Sequence, residues 1–192
     1  MSNLKKYLTQ SGVTYPDNTA LQVSGTSFTY KELQNLAAQF AGGLNRLQIT
    51  SGSKIALWLP KSAEAYISIF GSVEQGSAFI PIDLSTPAAR VNYILNDAGA
   101  EVLICRTCDY RKLNESKLHS IDLVILVGEK GEISVYPACP YLHWDDFMGA
   151  EASDGSEKRN ASGAVSRQFD KEGIAYIFYT SGSTGLPKGA AI

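Results

Sequence analysis

Five short apolar runs separated by segments of helical period constrain this chain more than any other feature. They are KIALWL (Lys54 to Leu59), SAFIPI (Ser77 to Ile82), EVLIC (Glu101 to Cys105), DLVILV (Asp122 to Val127) and IAYIFY (Ile174 to Tyr179). Each is of strand length and too short for a stable helix. Between them the period changes. Thr29 with Glu32 three residues on is a capping-box pattern, and Leu33, Leu36, Ala37, Phe40, Ala41, Leu44 and Leu47 then recur on one helical face. Ser62 is the expected cap of a second helix reaching about Gln75, with Tyr66, Ile67, Phe70 and Val73 on its buried side. A third helix is expected to open at Pro87, after Thr86 as cap, and to close at Gly99. Strands alternating with helices predict an α/β fold with a largely parallel sheet. Pro81 should put SAFIPI at an edge or end it early, because proline has no N–H for the ladder.

At 192 residues the chain suits one domain. A net charge of -2 supplies no basic footprint for nucleic acid. The start, MSNLKKYLTQSG, has no apolar signal region, and no apolar run approaches the roughly 18 residues of a membrane span. The expectation is an intracellular, cytoplasmic protein with neither nucleic acid nor membrane as partner. Cys105, Cys108 and Cys139 are an odd number, which argues against a disulfide framework. Cys105 and Cys108 form CRTC, a redox pair or half of a zinc site, but Cys139, His119 and His143 lack the paired spacing that would complete it. Cys105 also ends an apolar run, where a small core residue fits as well. YLHWDDF (Tyr141 to Phe147) reads as a surface turn, and no metal is assigned to His143, Asp145 or Asp146. The polar, aperiodic stretch 149–173 reads as a mobile loop or linker.

The last apolar run leads into TSGSTGLPKG, Thr180 to Gly189. Gly182, Gly185 and Gly189 let backbone approach a ligand closely, and Thr180, Ser181, Ser183 and Thr184 add hydroxyls. Successive N–H groups in such a loop form an anion-binding nest, and Lys188 brings a compact charge suited to phosphate oxygens. The parts fit a polyphosphate better than a bare surface hairpin. This is not the nucleotide loop that needs Gly before Lys and Ser or Thr after it, since Pro187 and Gly189 flank Lys188. No dinucleotide fingerprint follows an early strand either. The residues after the lysine, Gly189 to Ile192, read as a turn into a further strand.

YTSGSTGLPKG resembles the phosphate-binding signature of the AMP-forming adenylation superfamily, which includes acyl-CoA synthetases and the adenylation domains of nonribosomal peptide synthetases. FTYKEL (Phe28 to Leu33) and GSAFIPIDLSTPAAR (Gly76 to Arg90) resemble two upstream core motifs of that family, in order. The likeness continues through VNYILNDAGAEVLI and is loose between Arg106 and Gly173. The form of the second motif is closer to amino-acid-adenylating members. The resemblance implies an enzyme that activates a carboxylate with ATP and Mg2+ as an acyl adenylate, releases pyrophosphate, and passes the acyl group to coenzyme A or a phosphopantetheinyl carrier protein. By it, Thr180, Ser181, Gly182, Ser183, Thr184 and Gly185 contact the phosphates, and Lys188, the one catalytic residue assigned, neutralises the β/γ end. Pro187 shapes the loop; Pro81, Asp83 and Arg90 are structural.

Members of that family are considerably longer, and the resemblance makes residues 1–192 the N-terminal portion of such a domain, an adenylation fold incomplete at its C-terminus. Three readings stay open at this point: an adenylating segment active in a longer protein, an inactive remnant with at most weak nucleotide binding, and a redox or metal protein using CRTC.

Overall fold

The computed structural model describes residues 3–114, 118–130, 137, 139–149, 174–181 and 186–192. A helix, α1 (Asn3–Thr14), and a two-stranded hairpin, β1 (Thr19–Val23) and β2 (Thr26–Thr29), precede the first element expected from the sequence. Helix α2 (Tyr30–Arg46) then starts on the capping box: the Thr29 hydroxyl accepts from the Glu32 amide, and the Glu32 carboxylate accepts from the Thr29 amide at 2.8 Å.

Five strands form the main sheet in the order β4-β3-β5-β6-β7, every neighbouring pair parallel. They are β3 (Lys54–Trp58), β4 (Ala78–Pro81), β5 (Val102–Arg106), β6 (Leu123–Val127) and β7 (Tyr141–His143). Helices α3 (Ala63–Gln75) and α4 (Ala88–Ala98) make the first two crossovers, α5 (Thr107–Tyr110) is a single turn after β5, and α6 (Trp144–Gly149) follows β7.

The strands read as continuous apolar runs because both sheet faces are covered. Ile55, Leu57, Val102, Ile104, Leu123 and Ile125 face a core with Phe40 and Leu44 of α2, Ile67 of α3 and Phe147 of α6. The alternate residues, Ala56, Trp58, Leu103, Cys105, Val124 and Leu126, face a second core with Val91, Ile94 and Leu95 of α4. Helices α2 and α3 pack together at Gly71, where an added Cβ would lie 2.4 Å from the Phe40 ring. Glycine there is a packing requirement.

Several expectations change. YLHWDDF is not a surface turn. Tyr141 to His143 pair with β6 as the sheet's edge strand, and Trp144 begins α6. The two aspartates that suggested a turn occupy the first turn of that helix, where its dipole favours negative charge, while Phe147 and Met148 are buried. Thr86 does not cap α4. Pro87 is the N-cap, since its carbonyl accepts the first helical bonds from Arg90 and Val91, and Asp83 organises the preceding turn by accepting from the Ser85 amide at 2.7 Å. Tyr66 and Phe70 are half-buried rather than core. Pro81 does end β4, an outer strand of the five-stranded sheet. Of the expected linker at 149–173, Gly149 closes α6 and the rest lies outside the described residues. Among the described residues, no helix is long and apolar enough to cross a membrane.

Candidate functional site

The last two strands, β8 (Ile177–Ser181) and β9 (Pro187–Ala191), form an antiparallel ribbon. The lysine-bearing segment is therefore strand from Pro187 onward, with no separate turn after Gly189. Thr180 pairs with Lys188, and Ser181 with Pro187. Directly opposed residues of an antiparallel pair share a face. The exposed Thr180 and Lys188 side chains thus stand side by side where the ribbon opens into its loop. No carboxylate among the described residues pairs with Lys188. Pro187 is buried at the base of the loop. Gly182, Ser183, Thr184 and Gly185 lie outside the described residues.

Strand direction determines where that loop emerges. A parallel bridge joins Tyr176 to Phe79, and the Phe79 amide donates to the Ala175 carbonyl at 3.2 Å. β8 consequently runs with β4 and ends on the same edge as the carboxyl ends of β3 to β7. In open α/β sheets ligands bind outside that edge. An open cleft of ≈ 170 Å³ lies there at the ends of β3 and β4, with Leu59, Lys61, Tyr66 and Ile82 in its lining.

The inner face of the ribbon is fixed differently. Ile177 and Tyr179 pack on the α4 side of the sheet. The Tyr179 hydroxyl donates to the Asp97 carboxylate at 2.7 Å, and the Tyr93 hydroxyl reaches the same carboxylate at 3.3 Å. Burial raises the Tyr179 phenol above its ordinary pKa, and the Asp97 hydrogen bond and charge add to the shift. Gly189 lies opposite Tyr179, and a Cβ there would be 2.9 Å from the ring. The glycine thus lets the tyrosine lie flat against β9.

CRTC does not form a site. Cys105 is fully buried in β5, and burial pushes its thiol well above the ordinary range; Cys108 is exposed. Among the described residues no cluster of three His, Cys, Asp or Glu side chains could hold a metal. The described polar side chains where the ribbon opens, a threonine hydroxyl and a lysine ammonium, do not fit Mg2+ either, so no step is derived through that ion. Two polar features escaped the sequence reading. One is buried Asp109, held by Arg106 and by Lys112 at 2.6 Å. The other is Asp97, whose signal was an acidic residue in the last turn of a helix, against the dipole.

A model of the family described as AMP-binding enzyme matches residues 8–192. Surfactin synthase subunit 2 of Bacillus subtilis is 30% identical over 177 residues, which is 92% of this chain and 4% of that protein. The hydroxamate-type ferrichrome siderophore peptide synthetase of Schizosaccharomyces pombe is 32% identical over 166 residues, covering 85% of this chain and 3% of that protein. Among solved structures, the anthranilate CoA ligase AuaEII in complex with anthranoyl-AMP superposes with a TM-score of 0.78 at 26% identity, over 99% of this chain and 34% of the ligase. The chain thus spans only a small part of those synthetases and about a third of the ligase, and its α/β architecture matches the N-terminal part of the adenylate-forming fold.

Proposed function

Because the chain belongs to the AMP-binding enzyme family, we propose that its β8–β9 ribbon holds the β- and γ-phosphates of ATP during activation of a carboxylate. A carboxylate oxygen bonds to the α-phosphorus, the bond from that phosphorus to the β-phosphate oxygen breaks, and pyrophosphate leaves with the electron pair. The products are an acyl adenylate and pyrophosphate. The obstacle is charge, since an anion must approach a centre already surrounded by anionic oxygens. Lys188 offsets the charge that grows on the leaving pyrophosphate, and Thr180, Ser181 and the glycine-rich stretch Gly182 to Gly185 orient the triphosphate with hydroxyls and backbone amides.

The observation that carries the reading is the Thr180–Lys188 pair, exposed at the mouth of the loop on the ligand-binding edge of a parallel sheet. Relatives that include a peptide synthetase and an anthranilate CoA ligase support an amino acid or an aromatic acid as the carboxylate. The adenylate then reacts at its carbonyl carbon with the thiol of coenzyme A or a phosphopantetheinyl carrier protein, and AMP leaves. In the polypeptide that carries this chain, carboxylate-dependent exchange of labelled pyrophosphate into ATP tests the proposal. A charge-assisted contact contributes about 1.5–3 kcal/mol, so Lys188→Ala should slow exchange by roughly ten- to a hundredfold. Exchange within twofold of wild type would remove Lys188 from the mechanism.

A further inference from the structure

Asp97 stands where a carboxylate is least welcome. It is the penultimate residue of α4, at the negative end of the helix dipole, where acidic side chains are unfavourable. The Lys54 ammonium donates to the Ala98 carbonyl at 2.6 Å and caps that helix end. The described partners of Asp97 are two phenols, Tyr93 one turn back on the same helix and Tyr179, 82 residues away on β8. The long-range bond is the shorter of the two, 2.7 Å against 3.3 Å.

Its position along β8 gives the contact its meaning. The bridge between β8 and β4 is at Tyr176, three residues before Tyr179, and β4 stops at Pro81. Beyond that bridge the ribbon runs past the end of its sheet neighbour. Tyr179 immediately precedes Thr180, and its ring covers Gly189, which immediately follows Lys188. One side chain therefore touches both strands directly behind the Thr180–Lys188 pair.

We propose that Asp97 is a positioning residue for the phosphate site, acting through Tyr179 to fix the angle at which the β8–β9 ribbon presents Thr180 and Lys188. This rests on the phosphate-binding reading above. A bond that only glued the ribbon down would contribute to global stability. A positioning bond contributes chiefly to the entropy of the loop, so that its loss weakens ligand binding more than folding.

The test uses this chain as wild type, Asp97→Ala, Asp97→Asn, Tyr179→Phe and the double variant Asp97→Ala/Tyr179→Phe, with ATP as ligand. Asp97→Ala and Tyr179→Phe should each weaken ATP binding by about three- to tenfold, the range of one net hydrogen bond. The double variant should be no weaker than the worse single one. Asp97→Asn keeps an acceptor for the phenol and should restore most of the affinity. Thermal melts of all five should agree closely. Hydrogen exchange supplies a readout without nucleotide: amides from Tyr179 to Gly189 should exchange faster in Asp97→Ala, with those of β3 and β5 unchanged. Wild-type ATP binding unaltered by every variant, or exchange unaltered in Asp97→Ala, would overturn the inference. A wild type that fails to bind ATP while Asp97→Ala still loosens the ribbon would overturn the phosphate reading instead, leaving the tether itself established.

Discussion

In β3, β5 and β6 the residues Ile55 to Trp58, Val102 to Cys105 and Leu123 to Leu126 are all buried, whereas on the β8–β9 ribbon Phe178, Thr180, Lys188 and Ala190 are exposed. Both regions are sheet, yet they are held in place by different forces. The five-stranded sheet is clamped between two helical layers, and its register follows from which side chain faces which layer. Among the described residues the ribbon meets a helix on one face only, through Ile177 and Tyr179, and it joins the sheet at Tyr176. The clamped part holds the buried area; the lightly attached part presents Thr180 and Lys188. Chemistry that needs backbone amides and a bare lysine is compatible with exposure, and a core is not.

The largest loss is expected in the core. Phe40 is fully buried, lies against Gly71 and meets the Phe147 ring edge-on at 5.2 Å. Phe40→Ala should cost about 3–5 kcal/mol in urea unfolding, with no direct effect on the ribbon; a loss under about 1 kcal/mol, smaller than any typical Phe→Ala change in a core, would show that α2 and α3 are not clamped as described.

Acid supplies the next test. Burial opposes the charge on Asp109, but the hydrogen bonds and charges of Arg106 and Lys112 overcome it and hold the carboxyl below its ordinary value. A lowered folded pKa means that this stabilisation is complete above the ordinary carboxylate range and is lost as pH falls through the lowered value. Melting temperature should therefore decline on the acid side, and Asp109→Asn should make that limb shallower. An identical acid limb in the variant would show that the Arg106–Asp109–Lys112 cluster carries no pH-linked stability.

Gly189→Ala sharpens the contrast at smaller scale. The new methyl meets the Tyr179 ring, and a local clash of this kind costs about 1 kcal/mol, the low end for an added methyl at a packed contact. The ribbon can yield where the core cannot, so the expected result is a small drop in stability with a clear loss of ATP affinity. Equal losses of both would mean the ribbon is as tightly coupled as the sheet.

Legibility in the sequence follows the same division. Strands buried on both faces announce themselves as apolar runs, and α2 and α3 were readable because Thr29 with Glu32 and Ser62 set their starts. The β1–β2 hairpin was hard to read because TALQV and TSFT do not alternate; its one cue is Ser24–Gly25, whose residues both take positive φ in the turn. β7 was unreadable because a three-residue strand has no period to detect. At the site, the residue types of the loop were legible, and Thr180 opposite Lys188 is a register the sequence does not state. Asp97 carried a local signal, an acidic residue at a helix C-terminus, but its partner lies 82 residues away, and only the fold brings them together.

In the proposed function the loop between β8 and β9 receives the phosphates of ATP. Backbone amide chemical shifts of the isotopically labelled chain, followed by NMR during titration with ATP and separately with adenosine, test it most directly. ATP should shift the amides between Tyr179 and Gly189 saturably, inorganic triphosphate should reproduce most of the pattern, and adenosine should not. Shifts centred instead on the cleft around Leu59 and Tyr66, or no saturable shift between Tyr179 and Gly189, would contradict it.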